Sequence, residues 1–345
     1  MLKFLRKFNV KMKFFFKKVI LNILTKLFSF FGFLLEEVSY SSWSSKIFIL
    51  YKKKLKKPYG LIKNNYFNFE IYSQESDLRA VFNNNWDEES TRIFSLLSCS
   101  YLFEEFDYYD IGANYGLYSL PFLKLDNVQN HVIIEPNPFL TTCLEKTFSS
   151  SKVKLIEKAI YTDNQKKLFS VYPFASGGSN LENFNSKSSP LSNLKINVDC
   201  LSYAEVFTTN QNSKSAIIKI DIEGAEADLL KNGLLDYLSK LYKDFILMIE
   251  FVPKFLSKDQ TDQFKNSLSN YYCIPLSNLN FIPSSLNDNL ETNFFLNKNS
   301  LKKYYKINFN LGIEWCLKEQ NLKYADIFIF SSEKLAKKAA DLFNK

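Results

Sequence analysis

Three groups of residues in this sequence combine types and spacings that chemistry can use. The first is Tyr109-Asp110-Ile111-Gly112-Ala113-Asn114-Tyr115-Gly116, two glycines and an asparagine after a short apolar run. Gly112 can take backbone angles closed to other residues, and Gly116 lets a ligand or a helix approach closely. A turn of this kind between strand and helix leaves backbone N–H groups and a helix N-terminus at the carboxyl edge of a sheet, which suits a carboxylate. Asp110, at the strand end, is placed to meet an ammonium group. Purely structural turns share this pattern, so alone it marks a ligand-friendly turn and no more. Ala113 and Asn114 break the G-x-G-x-x-G dinucleotide pattern, and no Gly-Lys-Ser/Thr follows to make a phosphate loop. Pro121 fits the first turn of a helix that starts near Ser119.

The second group is His131-Val132-Ile133-Ile134-Glu135-Pro136-Asn137. It ends a strand on a carboxylate about twenty residues after the glycines, the place where nucleoside-binding sheets hold the ribose hydroxyls. A surface acid at a strand end is the plainer reading, and the spacing favours the ligand. His131, at the strand start, reads as an exposed or edge residue and not as a catalyst. The third group is Ile218-Lys219-Ile220-Asp221-Ile222-Glu223-Gly224-Ala225-Glu226. Its order and spacing imply the strand next to the first, ending at the same crevice, the topological switch point of the sheet. Asp221 and Glu223 both reach the crevice edge if the backbone stays extended. Glu226 falls on the following helix, which it can cap. A charged loop that merely ends a strand is the alternative. Glu250 ends a further strand, Met248-Ile249-Glu250-Phe251.

The elements that must position these residues alternate. Phe106–Ile111, Val132–Ile134, Val153–Ile156, Leu168–Tyr172, Ala216–Ile222, Phe245–Glu250, Tyr271–Ile274 and Asp326–Ser331 read as strands. Asp87 to about Cys99, Phe139–Phe148, Ala225–Leu230 and Thr261–Leu268 read as helices, the first with Asp87 as N-cap. Alternating strands and helices mean an α/β fold with a mostly parallel sheet and crossover helices. Residues 176–193, rich in Ser, Asn and Gly, read as a loop, and residues 278–300 as an insertion.

Composition removes several function classes. The 345 residues are 46% hydrophobic, which permits a real core. The net charge is +8, but residues 1–65 hold 15 Lys/Arg and 2 Asp/Glu, so they carry 15 − 2 = +13 and the rest 8 − 13 = −5. A nucleic-acid binder would carry the basic footprint on its main body, so no nucleic-acid partner is expected. Residues 1–57 form a basic arm. Val19–Leu35 lines up Ile20, Leu24, Leu27, Phe28, Phe31 and Leu35 on one helical face, shorter and more polar than a comfortable membrane span. Two readings fit this arm equally, an amphipathic helix on an anionic membrane surface, helped by the basic run 52–57, or a helix packed on the domain with solvated lysines, with a single true span as the minority alternative. Five scattered cysteines without a C-x-x-C pair, and a single histidine, argue against a zinc site, a disulfide framework or a Ser-His-Asp triad. Reduced thiols point to the cytoplasm, where the arm could hold the protein on the inner face of the membrane.

Six segments, Asp110–Gly116, Ile134–Pro138, Gly177-Gly178-Ser179-Asn180-Leu181, Val198-Asp199-Cys200-Leu201, Lys219-Ile220-Asp221-Ile222-Glu223-Gly224-Ala225-Glu226 and Ile249-Glu250, together resemble the FkbM family of methyltransferases over roughly residues 86–275. Asn180 stands where the family more often has Ser, and Cys200 where it has Thr. The resemblance implies a Rossmann-like class I methyltransferase fold, a mostly parallel seven-stranded sheet flanked by helices, with S-adenosylmethionine as donor. The acceptor it implies is a small molecule or glycan, through a hydroxyl of a sugar, glycan or secondary metabolite. It also implies that Asp110, Gly112, Asn114 and Gly116 hold the methionine part of the donor, that Glu135 holds the ribose, and that Asp221 borders the methyl group. A hydroxyl acceptor benefits from a general base. Asp221 or Glu223 is the expected one, with Glu226 and Glu250 as structural alternatives and no metal by default. Two other classes compete. A nicotinamide-dependent sugar oxidoreductase is disfavoured by the broken glycine pattern and by Tyr237 and Lys240 standing three apart where four is needed. A catalytically silent, membrane-tethered binding module is only weakly opposed by an intact Asp110 and Glu135.

Overall fold

A strand covered on both faces needs an unbroken apolar run, because neither face meets water. Such runs build the centre of the main sheet in the computed structural model. The structure describes residues 33–39, 46–52, 61–63, 70–73, 94, 97–98, 102–123, 125–149, 151–172, 176–181, 194–252, 256–277, 291–297, 300–306 and 325–343.

In chain order the strands and helices are β1 (Phe33–Ser39), β2 (Lys46–Lys52), β3 (Leu61–Lys63), β4 (Glu70–Tyr72), β5 (Phe106–Ile111), β6 (Val128–Ile134), α1 (Pro138–Thr147), β7 (Lys154–Ile156), β8 (Ala159–Tyr161), β9 (Lys167–Val171), β10 (Asn180–Leu181), β11 (Leu194–Val198), β12 (Cys200–Ser202), α2 (Tyr203–Asn210), β13 (Ser215–Ile220), α3 (Glu226–Lys231), α4 (Leu234–Leu241), β14 (Asp244–Phe251), α5 (Lys258–Leu268), β15 (Tyr272–Ser277), β16 (Glu291–Asn297), β17 (Ser300–Lys306), β18 (Ala325–Phe330) and α6 (Glu333–Phe343). The chain divides into two compact units, residues 1–57 with 186–194 and residues 58–185 with 195–345.

The main sheet has seven strands in the order β15-β18-β14-β13-β5-β6-β7. β14, β13, β5, β6 and β7 pair in parallel, while β18 is antiparallel to both β14 and β15. The order reverses between β5 and β13, so their carboxyl ends open a crevice. One face of the sheet, with Tyr109, Ile111, Ile218, Ile220, Leu247 and Ile249, packs against Leu229 of α3, Leu234 and Leu238 of α4 and Phe264 of α5. The opposite face, with Tyr108, Ile217, Met248 and Phe328, packs against Phe94, Tyr118, Phe122 and the α6 residues Leu335, Ala336 and Ala339. Helix starts follow the capping rules: the Asn137 side chain accepts from Phe139 N with Pro138 at N1, and Ser257 and Gln260 form a capping box.

Four expectations change. The helix after the first glycine turn is only a single 3-10 turn, Leu120–Phe122. Its segment feeds two layers, Tyr115, Leu117 and Leu120 into one cluster and Tyr118 and Phe122 into another, so no single helical stripe exists. His131 is buried, edge-on to the Tyr108 ring at 4.9 Å, and burial pushes its imidazole down to about 3. Tyr108 from β5 and Phe148 after α1 cover this residue, although β7 pairs with β6 only from Val132 on. Residues 33–35, expected to end a helix, are strand, with Leu35 opposite Leu50 in the β1/β2 pair. The Lys46–Lys52 run, rich in aromatic and β-branched residues, supplies that partner. Part of the expected insertion at 278–300 belongs to a hairpin, with β16 paired antiparallel to β17. The arm before residue 33, the basic residues 53–57, most of 87–99 and most of 182–193 lie outside the described residues, although Phe94, Leu97 and Ser98 are helical. No helix among the described residues is long and apolar enough to cross a membrane.

Candidate active site

Register builds the first part of the site. Asp110 on β5 lies directly beside Lys219 on β13, so both side chains leave the same face of the sheet. Lys219 is 1% exposed and Asp110 0%. The Lys219 Nζ donates to Gly112 O at 2.6 Å and stands 3.7 Å from Asp110 Oδ1 and 3.4 Å from Asp221 Oδ2. It also lies over the Tyr118 ring, 5.1 Å from its centre. Burial opposes the charge on Lys219, yet Asp221 and Asp110 outweigh it and hold the ammonium above the usual lysine range. Burial pushes the Asp110 carboxyl up, and Lys219 pulls it back. Ser119 Oγ donates to Asp110 Oδ2 at 2.8 Å, while Oδ1 has no hydrogen-bond partner. The ammonium group that Asp110 was expected to meet is therefore, first of all, the protein's own.

The turn after β5 is wound by three positive φ angles, 70° at Gly112, 54° at Asn114 and 76° at Gly116. A Cβ on Gly112 would lie 1.8 Å from the Asp221 carbonyl oxygen, so this glycine lets the turns after β5 and β13 touch. A Cβ on Gly116 would strike Phe148 and Leu144, so here the small residue serves helix packing. The turn's N–H groups are not free as expected. Gly112 N and Ala113 N donate to Ile134 O at 2.9 and 3.2 Å, and Gly116 N to Ala113 O at 2.8 Å. Asn114 N donates to Glu135 Oε2 at 2.8 Å. The end of β6 takes three of these donors because Ile111 and Ile134 stand in register where both strands end, while Gly116 N closes the turn on itself. Four backbone donors are thereby withdrawn from any ligand carboxylate.

Glu135 is 5% exposed, and its Oε1 accepts from Asn137 N at 3.0 Å. Burial raises its carboxyl to about 7, against the pull of these two backbone donors. A carboxylate offers about four acceptor positions, so two remain. The Asn114 amide pairs with Ser176 Oγ at 3.0 Å, tying the Ser/Gly loop to the turn.

The third part is the turn after β13. The strand ends at Ile220, not Ile222, and Glu223 takes a left-handed φ of 59°. Glu226, the first residue of α3, reaches back: Oε1 accepts from Ile222 N and Oε2 from Gly224 N, each at 2.8 Å. Burial raises its carboxyl to about 7. This turn, rather than an extended backbone, brings Asp221 and Glu223 together with Glu250 from β14. One carboxylate oxygen of each lies within 4.8 Å of the others. Glu250 Oε2 is shut off from solvent and has no hydrogen-bond partner. Burial, then the charges of Asp221, Glu223, Glu226 and Asp326, push the Glu250 carboxyl well above its usual range.

Sequence reasoning missed Lys219 and Ser176 as site residues. The signal for Lys219 was present: one lysine interrupts the run Ala216-Ile217-Ile218-Lys219-Ile220. A lysine is almost never buried unless paired.

The sheet order, with one antiparallel strand beside β14, and the crevice at the β5/β13 switch point define a Rossmann-like methyltransferase. Residues 110–268 match the profile of the methyltransferase FkbM domain, which supports S-adenosylmethionine as the cofactor. No curated protein matches the chain. Among solved structures, the chain is similar to a precorrin-6y C5,15-methyltransferase of Geobacter metallireducens (12% identity, 70% of this chain and 88% of that one covered, TM-score 0.32). It is also similar to an S-adenosylmethionine-dependent O-methyltransferase of Thermotoga maritima (8%, 86% and 91%, 0.32). A third is a plantazolicin methyltransferase solved in complex with a triazolic desmethylPZN analogue and SAH (12%, 72% and 87%, 0.32).

The residues present fit this cofactor by their donor chemistry. S-adenosylmethionine carries a sulfonium, an ammonium and ribose hydroxyls, which call for negative charge and acceptors. Glu135 has spare acceptor positions, Asp110 Oδ1 accepts no hydrogen bond beyond its ion pair with Lys219, and Asp221 is 27% exposed at the rim. The ligand's carboxylate is the group these residues serve least.

Proposed function

We propose that this protein transfers a methyl group from S-adenosylmethionine to a hydroxyl oxygen of a small-molecule or glycan acceptor. Glu135 would hold the ribose, the turn of Asp110, Gly112, Asn114 and Gly116 the methionine part, and Asp221 would border the methyl group. The observation that carries this reading is the gathering of Asp221 and Glu223 at the crevice edge, beside the turn after β5. When bound, the cofactor supplies an electrophilic methyl on a neutral leaving thioether. The chain's own residues then have two tasks, alignment and proton removal. Lys219 anchors the Asp221 carboxylate at 3.4 Å and the Gly112 carbonyl at 2.6 Å, so it fixes both turns against each other. Asp221 or Glu223 accepts the proton from the acceptor hydroxyl. The lone histidine is buried within the sheet and takes no part.

The test is a transfer assay with methyl-labelled S-adenosylmethionine and a panel of sugars, glycans and phenols. Label is expected in an oxygen-linked methyl group. Asp221→Asn should lower kcat about 100-fold or more, in the range of a lost general base. Label appearing only on nitrogen or carbon acceptors would overturn the hydroxyl reading.

A further inference from the structure

We propose that Ser176 is a positioning residue of the methyl-donor site: it holds the Asn114 side chain so that one amide N–H meets the carboxylate of the donor's methionine part. The inference deepens the methyl-transfer reading and rests on it. It answers a shortage of hydrogen-bond donors. A carboxylate entering a site lined by Asp110, Glu135 and Asp221 needs at least one donor, because a charge left unpaired away from water is costly. The turn after β5 has few to give. Gly112 N, Ala113 N and Gly116 N are bonded to backbone carbonyls, and Asn114 N to Glu135. The Lys219 ammonium has three N–H groups, and Gly112 O, Asp110 and Asp221 already surround it.

The Asn114 side chain differs. Its Nδ2 carries two N–H groups. One donates to Ser176 Oγ at 3.0 Å, and among the described residues the second has no acceptor. Ser176 Oγ in turn donates to Asn114 Oδ1 at 3.1 Å. One hydroxyl, donor and acceptor at once, thus engages both ends of the amide and fixes its plane. A backbone N–H or C=O could do only half of this. The main chain of Asn114 is held as well, by its left-handed φ of 54° and its bond to Glu135, the expected ribose acceptor. Glu135, Asn114 and Ser176 therefore form one hydrogen-bonded chain across the end of β6, the turn after β5 and the Ser/Gly loop.

Ser176 is itself anchored. It is 5% exposed and opens the 3-10 turn Ser176–Gly178. Its carbonyl accepts from Ser179 N at 3.0 Å, and Ser179 Oγ accepts from Tyr172 N at 3.1 Å. Asn180 on β10 stands opposite Ser170 on β9, and its Nδ2 donates to Gly178 O at 3.0 Å. The serine thus rests on a hairpin outside the seven-stranded sheet, and that hairpin supplies the fixed support a ligand-binding side chain needs.

The experiment titrates S-adenosylmethionine, and separately decarboxylated S-adenosylmethionine, into the full-length protein and its variants by calorimetry. The second probe lacks only the carboxylate. Ser176→Ala should weaken S-adenosylmethionine about tenfold, the scale of one hydrogen bond to a charged group, and leave the decarboxylated probe unchanged. Ser176→Thr keeps the hydroxyl and should recover most of the affinity. Equal weakening of both probes marks a merely structural serine and would overturn the inference, as would unaltered S-adenosylmethionine affinity in folded Ser176→Ala. Should that variant fail to fold, Asn114→Asp decides: an acid in place of the amide repels the carboxylate, so S-adenosylmethionine is lost while the decarboxylated probe still binds. Equal effects on the two probes there also count against the proposal. Wild-type binding of S-adenosylmethionine without a selective loss in either variant sinks this inference and leaves the methyl-donor reading standing. Binding of neither probe by the wild type sinks both.

Discussion

Asp110, fully buried, and Glu250, partly buried, are carboxylates near the carboxyl edge of one sheet, two strands apart. Asp110 has a lysine beside it in register and a serine hydroxyl on its other oxygen. Glu250 has an aspartate opposite it in register and one oxygen bare. The first arrangement is closed upon itself: Lys219 ties Asp110, Asp221 and the Gly112 carbonyl into one frame. The second gathers acids: Asp221 and Glu223 each bring a carboxylate oxygen within 4.8 Å of one of Glu250. The contrast assigns different work to the two halves of the crevice. The Asp110 side ties the turns after β5 and β13 together, and the Glu250 side gathers acidic groups at the crevice edge.

Removing the lysine should break this contrast most severely. Lys219→Met leaves Asp110 buried without its cation, and a loss of about 3–5 kcal/mol is expected in denaturant unfolding. The double variant Lys219→Met/Asp110→Asn should recover part of it. Full recovery by Asp110→Asn alone, or no loss at all, would mean that the pair does not frame the site. Next in size is Gly112→Ala. A Cβ there would sit 1.8 Å from the Asp221 carbonyl on a residue with φ of 70°, so a loss of about 3 kcal/mol is expected from strain and overpacking together. Gly233→Ala also has a positive φ, 86°, but nothing within 4 Å of the added atom. Its smaller loss in the same denaturant unfolding experiment separates backbone contact from torsional strain.

A subtler effect concerns pH. The folded value for Glu135, about 7, lies above its ordinary 4.5. The folded protein thus holds this proton more tightly than the unfolded chain. The stability so contributed is full below about 4.5 and is lost as pH rises through about 7. Ribose hydroxyls donate to the ionised form, so the affinity for S-adenosylmethionine should rise as pH climbs through the same value. Glu135→Gln should flatten that rise; an unchanged slope would place the titrating group elsewhere.

Much of this fold was legible because buried parallel strands leave a plain mark. The runs Phe106–Ile111 and Phe245–Glu250 are recovered as β5 and β14, shifted by no more than a residue. The acids that end β6 and β13 could be placed at one edge from their spacing alone. The misses have physical reasons. Helix α4 carries Leu234, Leu235 and Leu238 on a buried stripe, but it follows Gly233 so closely that α3 and α4 merge into one irregular stretch of sequence. The N–H groups of the first turn looked available because sequence does not reveal that Ile134 O stands within reach. Glu250 stands in the sequence as a strand-end acid, a structural alternative to Asp221 and Glu223. Its meeting with Asp221 and Glu223 depends on the left-handed Glu223 and on Glu226 folding back, neither of which has a pattern in the chain.

The central claim is that the crevice between β5 and β13 receives S-adenosylmethionine with Glu135 as its ribose acceptor. Calorimetric titration of the purified protein with S-adenosylmethionine, and in parallel with NAD, tests it directly. Saturable binding of S-adenosylmethionine is expected, weakened at least tenfold, about 1.4 kcal/mol, in Glu135→Ala, with no binding of NAD. Tight binding of NAD with no response to S-adenosylmethionine would contradict the account.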